Sequence, residues 1–145
     1  MRALPDPRIE TAINAYYESI TARDHARWLD LFSEDAVLHE PVGATPLEGK
    51  ACFDEAWKIF DAPFGQLTME VCEIFLAGSG AAVKWIGEGS ARGSTRRLTF
   101  AGISVFELDD AGKIQAVMSY WDPADTLIRL ADVERDDEDE EFQPA

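Results

Sequence analysis

Pro63 divides the chain into two regimes of hydrophobic period. Before it, apolar residues recur at helical spacing. Asp6-Pro7 has the form of an N-cap followed by proline at the first helical position, and Ile9, Ile13, Tyr16 and Ile20 then form one stripe, with Tyr17 about 100° away around the helix and expected at the periphery. Asp24 can cap a second short helix, HARWLDLF, which Ser33-Glu34-Asp35 closes. Residues 50–62 place Phe53, Ala56, Trp57 and Phe60 on one face of a third helix. After Pro63 the runs LTMEVCEIFLA, AAVKWIGEGS, RRLTFAGISVFEL and KIQAVMSYW are separated by Gly78-Ser79-Gly80, Arg92-Gly93-Ser94 and Asp109-Asp110-Ala111-Gly112. Such spacing predicts a four-stranded antiparallel meander. Helices followed by a sheet predict an α+β domain in which the helices cover one face, and a curled sheet would leave a cone-shaped cavity beneath them.

One acid stands out against this pattern. In DAVLHEPVGATPLEG, Leu38 and Glu40 share one face of a short strand, and Val37 and His39 share the other. Pro41 biases Glu40 to extended geometry, so the acid ends a strand. If Leu38 faces the core, so does Glu40; the alternative is a rim carboxylate reaching water at the sheet edge.

The length fits a single domain, expected over residues 1–131, with DVERDDEDEEFQPA at 132–145 as an acidic, solvated tail. Of the formal charge of −15, that tail supplies −7 and the body −8. The sign argues against nucleic acid, which requires clustered Lys and Arg. No apolar run approaches a membrane span, and MRALPDPRIE lacks the apolar core of a secretory signal, so a cytoplasmic location without membrane contact is expected. Cys52 and Cys72 have no metal-ligand spacing and are expected to be reduced and mostly buried.

From Ile9 to Trp121 the chain resembles the nuclear transport factor 2-like superfamily, most closely its ketosteroid-isomerase and polyketide-cyclase (SnoaL-like) branch. The resemblance is carried by AINAYYESITARD, LDLFSEDAVLHEPVGATPLEGKACFDEAW and ISVFELDDAGKIQAVMSYW. It implies three N-terminal helices on a curved, mainly antiparallel sheet, a hydrophobic small-molecule substrate, no cofactor and no metal. The acid before Pro-Val-Gly, here Glu40, would be a general base that moves a proton next to a ketone, shifting a double bond into conjugation. Tyr16 would donate a hydrogen bond to the developing enolate oxygen. Two positions depart from the branch: its base is usually aspartate, and the position of its second oxyanion acid falls on Ser104. The same alignment, with strand alternation, assigns Trp57, Phe106, Val117, Ser119 and Trp121 to the substrate-binding walls, with core packing as the alternative for each aromatic.

The resemblance leaves three functions open. These are an isomerase of a steroid-like or polyketide-like unsaturated ketone, an epoxide hydrolase, cyclase or dehydratase of natural-product biosynthesis, and a binder of lipophilic ligands without chemistry. The second needs a general acid opposite the base. His25 and His39 do not form a metal pair or triad, and Asp122 suits the cap of a final segment, DPADTLIRLA. Met118 and Tyr120 are apolar on the outer sheet face, and members of the branch commonly pair there, so a homodimer through the sheet is expected.

Overall fold

A computed structural model describes residues 5–126 and 128–130; the acidic stretch 132–145 lies outside the described residues. Helix α1, Pro7–Ala22, starts where Asp6 accepts the Arg8 backbone N–H at 2.9 Å. It ends at Arg23, which adopts a left-handed conformation and donates its backbone N–H to the last carbonyls. Asp24 caps α2, His25–Asp30, by accepting from the Arg27 N–H. Strand β1, Phe32–His39, and the two-residue β2, Leu47–Glu48, follow. A 3-10 turn, Lys50–Cys52, leads into α3, Asp54–Asp61. The meander then runs through β3, Phe64–Ala77; β4, Gly80–Ala91; β5, Leu98–Leu108; and β6, Ile114–Tyr120.

The architecture is α+β, as the change of period implies. Six strands form one sheet in the order β2-β1-β6-β5-β4-β3, and β2 and β3 stand at its free edges, so it is curved but unclosed. Every pairing is antiparallel except β1 against β6. Bulges in β3 near Gly65 and Cys72 bend the long edge strand. The core fills the space between the helices and the sheet, around Trp28, Tyr16, Phe32, Phe53 and Phe106.

Three local expectations are corrected. Ser33, Glu34 and Asp35 do not close helix two but belong to β1, because the Ile114 N–H bonds the Leu31 carbonyl and Phe32 pairs with Ile114, drawing the chain into the sheet early. Glu34 and Asp35 sit on the bulged stretch, where their side chains stay exposed. Tyr17 is buried at 3% exposure, because α1 lies in the hollow of the sheet and hides a wide arc that includes Ala12 and Ser19. Cys72 is exposed beside a β3 bulge and Cys52 only half-buried, although both are free.

Missing side chains shape the interior as much as present ones. The Trp85 indole lies over Gly102, its register partner; a Cβ there would fall 2.4 Å from the ring and 2.6 Å from the Tyr120 carbonyl oxygen. The Phe100 ring occupies the equivalent space at Gly87. Replacing Gly102 by alanine should therefore destabilise the fold by on the order of 1–3 kcal/mol, since one of the two clashes is with backbone. Urea titration checks this: the midpoint should fall with the slope preserved.

Candidate active site

Glu40 is the first residue past β1, and the parallel pairing of β1 with β6 fixes its surroundings. His39 is in register with Met118, so the next inward position of β6, Ser119, lies beside Glu40. The Val42 N–H bonds the Ser119 carbonyl at 2.8 Å and holds the turn after Glu40 against the same strand. Leu38 is fully buried and Glu40 is 7% exposed, so the acid faces inward.

Three donors converge on this carboxylate. Ser119 Oγ donates to Oε2 at 2.7 Å, Trp121 Nε1 donates to Oε1 at 2.5 Å, and the Tyr16 hydroxyl makes a longer contact of 3.4 Å with Oε2. Behind Ser119 the bonding continues: Ser104 Oγ is 2.8 Å from Ser119 Oγ, and the Trp85 indole N–H donates to Ser104 Oγ at 2.9 Å. An ionised carboxylate can only accept, so Ser119 gives its hydrogen to Glu40, Ser104 gives its own to Ser119, and Trp85 supplies Ser104. The chain of hydroxyls is thereby oriented from Trp85 towards Glu40.

Burial pushes the Glu40 carboxyl up from 4.5 to about 7, against the opposing pull of Ser119, Trp121 and Tyr16. The acid is thus poised to take and return a proton near neutrality. Burial first, and then the Glu40 charge, raise the Tyr16 phenol well above its ordinary value; the Trp28 indole eases this in part. Tyr17 is also raised, mainly by burial. Both phenols therefore remain protonated donors over the working pH range.

Two cavities meet at Glu40. The inner one, about 20 Å³, is lined by Tyr16, Tyr17, Ser104, Ser119, Trp85 and Trp121, with Phe64, Phe100 and other apolar side chains. That is room for one water-sized atom. The outer one, about 590 Å³, is lined by Pro41, Ala44, Lys58, Ala62, Pro63, Pro123 and Thr126. Glu40, Ile59, Phe64 and Trp121 belong to both. Among the described residues lining either cavity, Glu40 is the one carboxylate.

The residues named from the sequence fall into two groups. Glu40, Tyr16, Ser104, Ser119 and Trp121 come together around the inner cavity. Phe106, Val117 and Trp57 line neither cavity. Phe106 and Val117 are fully buried, Phe106 packing edge-on against the Tyr16 ring at 5.1 Å. Trp57 stacks on His25 at 4.9 Å and connects to Tyr16 through Trp28. Phe106 thus backs the site, packed under the α1 tyrosines. Trp85, Tyr17, Phe64 and Phe100 were not singled out from the sequence. Strand alternation placed Trp85 on the face of Val83, and Tyr17 stands four residues after Ile13 and three before Ile20, so a signal for both existed. Asp122 caps the last helical segment by accepting the Asp125 N–H, and His25 pairs with Asp54 at 3.1 Å. The described residues contain no group of three His, Cys, Asp or Glu placed to hold a metal, and no helix long and apolar enough to cross a membrane.

Comparison with known proteins gives the family. The profile of the SnoaL-like domain matches residues 13–117. The chain belongs to the SnoaL-like domain family. Within the nuclear transport factor 2-like superfamily it stands in the SnoaL and ketosteroid-isomerase branch. A steroid Delta-isomerase of Nocardioides simplex is 22% identical over 123 residues, covering 85% of this chain and 97% of that one. The crystal structure of RV0760c from Mycobacterium tuberculosis in complex with estradiol-17beta-hemisuccinate has a TM-score of 0.69 at 20% identity, covering 81% and 95%. An LEH-like epoxide hydrolase of M. tuberculosis has a TM-score of 0.69 at 19% identity, covering 87% and 91%. Relatives of this SnoaL-like protein thus include both isomerase and hydrolase chemistries on one fold.

The raised Glu40 carboxyl has a cost in stability. Between 4.5 and about 7 the folded SnoaL-like domain binds a proton that the unfolded chain has released, so stability falls as pH rises through that window. The full displacement is worth about 3 kcal/mol above it. Glu40→Gln removes the charge but also turns an amide hydrogen towards one of the donors, so it should stabilise the protein by about 1–3 kcal/mol at pH 8 and not at pH 4. Thermal unfolding of both proteins across pH measures the difference.

Proposed function

We propose that this protein is a cofactor-independent isomerase that shifts a carbon-carbon double bond in a hydrophobic, steroid-like or polyketide-like unsaturated ketone. The observation that carries the reading is the position of Glu40 at the junction of the two cavities, beside the Tyr16 phenol. The ketone oxygen of a bound substrate fits the water-sized inner cavity, and its carbon skeleton fits the outer one. The carbon next to the carbonyl then lies at the junction, within reach of the carboxylate.

Glu40 takes a proton from that carbon, the electrons of the C–H bond form the dienolate, and its oxygen receives the Tyr16 hydrogen bond. The 3.4 Å Tyr16 contact is the weakest of the three on Glu40, so it is the one most readily turned to the substrate. Glu40 then returns the proton at the far end of the dienolate, leaving the conjugated ketone. A single carboxylate serves as base and acid, and the proton balance closes without another group. Ser104 enters through Ser119, which anchors Oε2. Trp121 forms the partition beside Oε1. Epoxide opening or cyclisation would call for a second acid facing Glu40, and the lining residues that are described offer phenols and serines instead.

Turnover of a β,γ-unsaturated ketosteroid, followed by the absorbance of the conjugated product, tests the proposal. Activity should rise with pH as Glu40 ionises, with a midpoint of about 7. Glu40→Gln should lower kcat by about 10²–10⁴-fold while leaving ligand binding largely intact. Unchanged turnover in that variant would refute the assignment.

We further propose that the protein pairs with a second copy through the outer face of the sheet. Phe75, Ala82, Val105 and Met118 form one outward row across β3 to β6, continued by His39 on β1. Ile103 and Tyr120 stand beside them, 48% and 53% exposed. Burying such a face between copies removes an apolar patch from water. Sedimentation should give a dimer for the native protein and a monomer for Ile103→Lys combined with Tyr120→Lys, and a monomeric native protein would overturn the pairing.

A further inference from the structure

Tyr17 is a buried polar group on the inner cavity that the scheme above leaves idle. Its hydroxyl is buried and has no hydrogen-bond partner among the described residues, and the residue lines the inner cavity. An unsatisfied buried donor of this kind costs on the order of 1–3 kcal/mol, and a folded protein rarely retains one without a use. Every other polar side chain on this cavity is engaged. Tyr16 contacts Glu40, Ser119 donates to Glu40, Ser104 is held between Trp85 and Ser119, and the Trp121 indole is on Oε1. Ser104 stands near enough to ease the Tyr17 phenol, but no hydrogen bond joins the two hydroxyls.

We propose that Tyr17 is a catalytic residue, the second hydrogen-bond donor to the substrate oxygen, working with Tyr16 in the place that the Ser104 hydroxyl does not fill. Adjacent positions on α1 bring both phenols to one water-sized space, their rings edge-on at 5.0 Å. The Tyr17 ring is fixed by Phe106 at 6.1 Å, so the hydroxyl is preorganised with little freedom to lose on binding. A carbonyl oxygen entering the cavity would meet two donors, one free at once and one released from a long contact with Glu40. The ligand class follows: a molecule whose apolar body ends in an oxygen that is neutral when it arrives and gains negative charge during reaction. No bond to Tyr17 is made or broken; its proton stays on the phenol, which burial keeps un-ionised.

The assignment rests on the isomerase reading, and two independent measurements separate them. Tyr17→Phe keeps the ring and its packing and removes only the hydroxyl. In ketosteroid turnover it should lower kcat by about 10–100-fold with KM changed by less than about threefold, and Ser104→Ala should have the smaller effect on kcat. Unchanged kcat in Tyr17→Phe, or a larger loss in Ser104→Ala, overturns the proposal. Binding of 2-naphthol and of naphthalene, read by fluorescence, requires no turnover. Tyr17→Phe should weaken 2-naphthol by about tenfold and leave naphthalene unchanged. Equal weakening of both, or of neither, overturns the role of Tyr17. A native protein that fails to isomerise the ketosteroid refutes the isomerase reading, and the naphthol pair still decides the donor.

Discussion

The pairing of β1 with β6 is the constraint on which the site depends. It is the one parallel pairing in the sheet, and it sets two strands side by side that are separated by the whole meander in sequence. Through it Glu40, at the end of β1, meets Ser119 on β6 and Trp121 just beyond it. A slip of one residue would turn Ser119 away and leave Oε2 of the buried acid without its short hydroxyl bond, and the cost of an under-satisfied buried charge makes that register unfavourable. The Val42 N–H on the Ser119 carbonyl guards against such a slip from the other side.

Much of this was legible in the sequence, for physical reasons that differ by element. Helix α1 declared itself through Asp6-Pro7 and its apolar stripe, and the meander through strand runs cut by glycine turns, because local propensity and tertiary demand agree there. The shared strand face with Leu38 left Glu40 either inward or on the rim, and burial of both residues decides for the inward reading. What was hidden is what depends on contacts across the chain. Ser33 to Asp35 join β1 only because Ile114 pairs with Phe32. Tyr17 is covered because the sheet curves around α1, and a helical stripe says nothing about how wide an arc its partner will wrap. Trp57, Phe106 and Val117 were on inward faces as read, but an inward residue may line a cavity or back it, and alternation does not distinguish these.

The glycines of the meander show how the cavity is held open against close packing. At Gly102 and Gly87 the interior face has no side chain, and the Trp85 and Phe100 rings lie in the space so formed. Trp85 thereby lies low enough on the sheet for its indole to reach Ser104. A larger residue at Gly102 would lift the ring and break the first link of the relay towards Glu40. The seating of the cavity's aromatic rings and the orientation of the hydroxyls thus have one structural origin, in strands that are weak by propensity at these positions.

The relay also accounts for how a glutamate can work so deep in the protein. Burial alone would leave the carboxyl protonated at neutral pH and useless as a base. Three donors alone would hold it ionised and make it too weak a base to take a proton from carbon. The two effects oppose each other, with burial the larger, and their balance near 7 leaves both protonation states within easy reach. Taking up the proton reverses the logic of the relay: a carboxyl that has gained hydrogen offers fewer sites to Tyr16, Ser119 and Trp121, and Tyr16, held by the longest bond, is the first to be released. In the proposed isomerisation that release coincides with the arrival of negative charge on the substrate oxygen. Under the proposed mechanism, proton transfer to Glu40 and strengthening of the Tyr16 bond to that oxygen are therefore coupled by hydrogen-bond count alone, without movement of the backbone.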